Sequence, residues 1–199
     1  MKAHALTAIY CLRNAGLAVL LAIPAPGLAE TLSPLVDDFS DPQNNSLGIA
    51  RQFVDDTMAG GSTTTSQNVS GGVLSVKGEI VPPRGQPGWA SSVLLLDPEG
   101  LPQDASAFEG IRLLVKLNDG NISVSANSTD VDNFDYHAAP VVATRDGEFH
   151  EVRIPFATMK RAWSEQTTLD TTTISSLSIV AFGVQQGAFD FELDEVSFY

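Results

Sequence analysis

Carboxylates dominate the reactive groups of this chain, which carries 24 Asp and Glu against 11 Lys and Arg and three His. Asp37, Asp38 and Asp41 sit at the start of the first expected strand, among its first apolar positions Val36 and Phe39, and Asp194-Glu195 lies at the bulge expected in the last. Terminal strands that run side by side would bring Asp38 and Asp194 together in an oxygen shell suited to a hard cation, so a structural calcium ion is the cofactor to test, and none is required. The competing role for these residues is that of solvated charges that discourage sheet edges from pairing with other chains. Zinc has less to draw on. His137 and His150 fall on separate expected strands, and the one cysteine, Cys11, lies in the first segment.

Sugar recognition needs an aromatic face flanked by polar groups. Trp89, Tyr136 and Trp163 are the aromatics of that type, with Arg112 and Asp119 as hydroxyl partners. Trp89, after Pro87-Gly88, is expected on a loop, with burial in a core strand as the competing reading. A glycosidic acid–base pair would be Asp119 with Asp135 or with Glu151, at a separation of about 5 to 10 Å. No Gly-x-Ser-x-Gly elbow is present.

One stretch is composed for backbone shape rather than burial: Phe53-Val54-Asp55-Asp56-Thr57-Met58-Ala59-Gly60-Gly61-Ser62. Glycines permit positive φ and close backbone approach, and Asp and Ser side chains bond to nearby amides. A structured loop carried by Asp55, Met58, Gly60 and Ser62 is the expectation.

Lys2 and Arg13 precede an apolar run from Ala15 to Ile23, and no acidic residue occurs before Glu30. The run is far shorter than the roughly 20 residues a membrane span needs, and Ala25-Pro26-Gly27-Leu28-Ala29 offers small residues for cleavage. Residues 1–29 therefore read as a signal peptide cut between Ala29 and Glu30, leaving one domain over 30–199, periplasmic or secreted. That domain has no cysteine and must be held by its core. The net charge is −13, which without Lys2 and Arg13 becomes −15, and there is no basic run. Nucleic acid is a poor partner for such a surface.

The elements that position these groups are strands. Leu74, Val76, Gly78 and Ile80 alternate with Val73, Ser75, Lys77 and Glu79 after Gly71-Gly72. Ile111, Leu113, Val115 and Leu117 share a face, and Asn118-Asp119-Gly120 predicts a hairpin to Ile122, Val124 and Ala126. Further strands are expected over 90–96, 135–143, 149–155, 177–183 and 189–199, with at most one helical turn within 157–165. Phe189, Phe191 and Leu193 share a parity that Val196 and Phe198 break, which predicts a bulge at Asp194-Glu195. The fold class is all-β, an antiparallel jelly-roll sandwich.

The loop from Val54 to Ser62, then Gly88-Trp89-Ala90-Ser91-Ser92, Phe108-Glu109-Gly110-Ile111-Arg112-Leu113-Leu114-Val115, Phe149-His150-Glu151-Val152-Arg153-Ile154-Pro155-Phe156 and Phe189-Asp190-Phe191-Glu192-Leu193-Asp194-Glu195-Val196 follow one another in a recognisable order. In this order the chain resembles the complex I intermediate-associated protein family over roughly 39–199. The resemblance implies a galactose-binding-like sandwich without catalytic activity, and an assembly-factor role in mitochondrial members. The chain reads Met58-Ala59-Gly60 where that family tends to Met-Gly-Gly, and Phe53 and Phe149 stand near family Trp positions. The expected function is an exported, non-catalytic binding or assembly-factor-like domain acting on an envelope protein. A carbohydrate-binding module of the same fold, with a glycan as partner, is the alternative, and a sandwich hydrolase or lyase with a carboxylate pair is the second.

Overall fold

Alternating burial along eleven strands builds the molecule. The computed structural model describes residues 31–199, so the expected signal peptide and its expected cleavage point lie outside the described residues; Thr31–Tyr199 forms one unit. The strands are β1 (Leu35–Asp37), β2 (Gln52–Asp55), β3 (Thr64–Ser70), β4 (Val73–Ile80), β5 (Gly88–Leu95), β6 (Gly110–Asp119), β7 (Asn121–Ser128), β8 (His137–Pro140), β9 (His150–Pro155), β10 (Ile174–Gly183) and β11 (Gly187–Phe198). One sheet has the order β3-β4-β11-β6-β9, with β1 also on β11; the other runs β2-β5-β10-β7-β8, and every pairing is antiparallel. The expected jelly-roll sandwich is the observed one. No described helix is long and apolar enough to cross a membrane.

The core lies between the sheets. Leu74, Val76, Leu113, Val115, Phe189, Phe191 and Leu193 project from one, and Leu94, Val124, Ala126, Leu177, Ile179 and Ala181 from the other, all buried. Each fully buried Leu, Ile, Val or Phe contributes about 1.5 to 3 kcal/mol, which is how a chain with no disulfide holds two sheets together. β5 is an internal strand, as expected for 90–96, but its burial alternates strictly rather than spreading to both faces. The expected helical turn is a single 3-10 turn at Phe156–Thr158.

The bulge is where the parity break places it, with the pairing of β11 to β6 slipping between Leu193 and Glu195. Terminal strands do lie together, since Leu35 pairs with Ser197. Gly71 and Gly72, at φ +62° and +80°, close a two-residue hairpin between Ser70 and Val73.

The hairpin expected at Asn118-Asp119-Gly120 does not form. β6 pairs with β11 and β9, whereas β7 pairs with β10 and β8, so this turn carries the chain from one sheet to the other. Turn chemistry is local and serves both purposes. Gly120 is needed on two counts: its φ is +79°, and a Cβ there would stand 2.7 Å from Phe189 Cβ. Gly120→Ala is expected to destabilise the domain by about 2 kcal/mol or more, through left-handed strain and the clash with Phe189. Urea denaturation should show a lower midpoint at unchanged slope.

Candidate functional site

The loop after β2 is organised by Asp56, a residue with no exposure. Asp55 caps the 3-10 turn Asp56–Ala59 by accepting from the Thr57 amide, and Gly60 ends it at φ +84°. This turns the Asp56 carboxylate inward. Oδ1 accepts from the Thr63 amide at 3.0 Å, and Oδ2 accepts from Thr63 Oγ1 at 2.7 Å and from the Trp89 amide at 3.2 Å. A buried carboxylate without a cation costs several kcal/mol unless its lone pairs are met, and here amides and a hydroxyl meet them. Gly61 and Gly88 exist for proximity: a Cβ would lie 2.2 Å from Asp56 Cγ in the first case and 2.9 Å from Oδ2 in the second. Met58 and Ser62 are exposed, and the Ser62 amide donates to Val81 O at 3.3 Å.

That clasp fixes the start of β5 and therefore Trp89. Trp89 stands in the strand rather than on a loop, half-buried on the outward face of the five-stranded sheet, opposite Phe182 of β10. Beside them opens a cleft of about 610 Å³ lined by Val81–Pro87 and Val184–Gln186. Asp119 is at the same end of the molecule, in the turn leading to Asn121, which pairs with Phe182. Tyr136 immediately precedes β8, at the opposite end of the sheet, and Arg112 is on the outward face of the other sheet. The four expected ligand-binding residues thus do not form one site.

The outward faces differ in kind. On the six-stranded sheet, charges pair with each other: Arg112 with Glu151 at 2.8 Å and with Glu195, and Lys116 with Glu192 at 2.6 Å, across strands, and Arg153 with Glu151 at 2.8 Å within β9. The hydrogen bond to Glu151 raises the already high Arg112 pKa, and those from Arg112 and then Arg153 hold the Glu151 carboxyl below its usual range. The bulge serves this lattice by re-aiming Glu195 onto Arg112. On the five-stranded sheet, strand alternation turns outward Gln52, Val54, Trp89, Ser91, Val93 and Leu95, then Ser176, Ser178, Val180 and Phe182, then Asn121, Ser123, Ser125 and Asn127, then Ala138 and Pro140. None is ionisable. Along its middle, buried Asn127 donates to Ser176 Oγ at 2.9 Å and Ser178 Oγ at 2.8 Å, and Ser125 Oγ donates to Asn127 Oδ1 at 2.9 Å.

A second buried carboxylate organises the opposite end. Asp135, 2% exposed, accepts from the amides of Ala162, Trp163 and Ser164 at 2.7, 3.0 and 2.6 Å. Burial pushes its carboxyl up, but the donors of Ser164, Ala162 and Trp163 together outweigh burial and leave it below the ordinary range. The loop it holds presents Trp163, 70% exposed, and Asp135 itself sits between Tyr136 and Phe134, which is 78% exposed at φ +61°.

The carboxylate pairs named for glycosidic chemistry stay apart. Glu151 pairs with Leu114, five residues from Asp119 along β6, roughly 16 Å at the usual rise, and the length of β7 separates Asp119 from Asp135. Asp37 receives Arg51 at 2.6 and 2.8 Å, both side chains buried. Asp38 accepts from Ser40 and Ser46, and Asp194 is the extra residue of the bulge. Among the described residues, no group of three or more His, Cys, Asp or Glu side chains is arranged to hold a metal ion. His137 is buried with Nε2 2.8 Å from Thr167 O, while His150 contacts Asp146 at 2.8 Å on the other sheet.

Asp56→Asn should cost about 2 to 3 kcal/mol in urea denaturation, because the new amide group faces donors where acceptors are needed. In a Trp163→Phe background, Trp89 fluorescence should shift to the red. Asp135 carries the linkage of a depressed carboxylate: its stabilising contribution is present above the unfolded pKa, about 3.9, and is lost as pH falls through the lower folded value. The melting temperature should fall below about pH 4, and Asp135→Asn should flatten that acid limb.

A search of curated proteins finds no match. Among solved structures, the family 11 carbohydrate-binding module from Clostridium thermocellum, in complex with a β-1,3-1,4-mixed-linked tetrasaccharide, superposes with TM-score 0.58 at 18% identity, covering 83% of this chain and 94% of that one. The family 11 module of the cellulosomal cellulase Lic26A-Cel5E of the same organism gives 0.54 at 19% identity, with 81% and 93% covered. The agarase AgWH50C gives 0.52 at 11% identity, covering 82% of this chain and 24% of that chain. These likenesses are of fold. The family model for complex I intermediate-associated protein 30 matches residues 38–193, the stretch that holds the Asp56 clasp and all of β2 to β10, and the chain belongs to that family.

Proposed function

We propose that this chain is an exported, non-catalytic binding domain that works by protein contact on a partner in the cell envelope, in the manner of an assembly factor. What carries the reading is the contrast between its two outward faces. One is a lattice of charges already matched to each other, which leaves little to offer a partner. The other has no ionisable residue at any outward strand position, in a chain of net charge −13. Interface cores are depleted of charge and enriched in aromatic residues, and this face has half-exposed Val54, Trp89, Val93, Leu95, Val180 and Phe182 around a satisfied Ser and Asn spine. Membership of the complex I intermediate-associated family supports the same reading.

A second reading is favoured by one observation. Trp89 and Phe182 face each other across strands beside a cleft whose Gln86, Gln185 and Gln186 are neutral hydrogen-bonding groups. An aromatic platform beside such groups suits a sugar. A solved family 11 module of this fold holds a β-1,3-1,4-mixed-linked tetrasaccharide.

Envelope extract passed over immobilised wild type and Val93→Lys separates the two. A partner protein retained by wild type and lost by Val93→Lys, at unchanged melting temperature, is the expected result. Equal capture by both, or a Trp89-dependent titration with the β-1,3-1,4 tetrasaccharide and no protein partner, would transfer the function to the second reading.

A further inference from the structure

We propose that Phe134 and Trp163 form a docking rim for an Arg- or Lys-bearing segment of a partner protein. The rim rests on the reading of the domain as one that works by protein contact, and it is distinct from the uncharged sheet face.

Both side chains are displayed rather than left over. Phe134 is 78% exposed and Trp163 is 70% exposed, on two loops that are tied to each other. Besides the three amides bound to Asp135, Arg161 donates to Asp135 O at 3.0 Å and to Asn133 Oδ1 at 2.9 Å, and Asn133 donates to Ser164 Oγ at 2.9 Å. Tyr136 meets Phe134 edge-on at 6.4 Å and 85°, which orients the ring. Phe134 also holds a left-handed backbone, φ +61°, that Asn or Gly would adopt at lower cost. A bulky aromatic kept there contributes neither burial nor local preference.

The chemistry around the rings selects a cation. The polar side chains beside them are committed to the frame: Asn133, Ser164 and Arg161 as above, and Gln166 to the backbone of Arg161 in both directions, at 2.7 and 3.2 Å. Lys160 is drawn toward β8 by a backbone bridge to Ala138. Exposed Asp132 and Glu165, each two residues from an aromatic, have no hydrogen bond or ion pair among the described residues. Ring faces and carboxylates are what a guanidinium or ammonium group uses. Elsewhere the chain satisfies such faces itself, with Arg51 over Phe39, Lys116 over Phe149 and Arg153 over Tyr199 at 5.1 to 5.2 Å. Phe134 and Trp163 have no such cation among the described residues.

The test titrates the purified protein with a twelve-residue peptide of alternating Gly and Arg, with its Gly-Glu counterpart, and with the β-1,3-1,4 tetrasaccharide. The Arg peptide is expected to bind in a salt-dependent manner and the Glu peptide not at all. Trp163→Ala and Phe134→Asn should each weaken the Arg peptide at least tenfold, while Phe134→Asn raises the melting temperature by about 2 °C through relief of the backbone. Arg-peptide affinity unchanged in both variants, absence of Arg-peptide binding, a lower melting temperature for Phe134→Asn, or Trp163-dependent binding of the tetrasaccharide in place of the peptide would overturn the proposal. Partner capture lost only in Val93→Lys, with the peptide arm negative, leaves the sheet face standing and removes the rim; the converse removes the sheet face.

Discussion

A carboxylate removed from water with no cation beside it must have its lone pairs met by donors already in place, and Asp56 meets that constraint with two amides and a hydroxyl. The donors come from Thr63, entering β3 of the six-stranded sheet, and Trp89, entering β5 of the five-stranded one. One side chain therefore registers the two layers at that end. Gly61 and Gly88 leave it room, and the 3-10 turn capped by Asp55 aims it. The cost of ionising a buried acid becomes a demand for a particular backbone arrangement, which is a more specific constraint than the packing of interchangeable aliphatic side chains.

At the opposite end Asp135 also gathers three amides from one loop, here with Arg161 Nε 3.9 Å from its Oδ2. Asp37 differs, because it takes Arg51, which also donates to Asp41 O at 2.9 Å and lies over Phe39. Asp37, Asp56 and Asp135 are thus carboxylates used to fasten loops. On the six-stranded sheet the same economy holds for Arg112 and Lys116, matched across strands, and for Arg153, matched within β9, before any partner arrives. What is left unmatched is one uncharged face and two displayed aromatics.

Strand positions were legible because a half-buried strand writes its burial into alternate residues, and the break at Asp194 was legible for the same reason. The destination of a turn was not. Asn118-Asp119-Gly120 satisfies the stereochemistry of a hairpin, yet nothing in those residues records that β7 has its hydrogen-bonding partners in the other sheet. The candidate site was read less well. Asp55 and Asp56 are adjacent and alike in type, and only the turn decides which of them faces inward. Trp89 lies in a strand although Pro87-Gly88 signals a loop, because Gly88 is small for the sake of Asp56. Phe134 carries no sequence mark, since its importance lies in a backbone angle and in a loop thirty residues away.

β11, the last strand in the chain, is hydrogen bonded to β4, β6 and β1. Its residues supply the middle of the six-stranded layer, so that layer cannot close until β11 has paired with strands that lie far from it in sequence. The six-stranded layer therefore rests on contacts of high sequence separation, which makes its closure a cooperative event rather than a stepwise one.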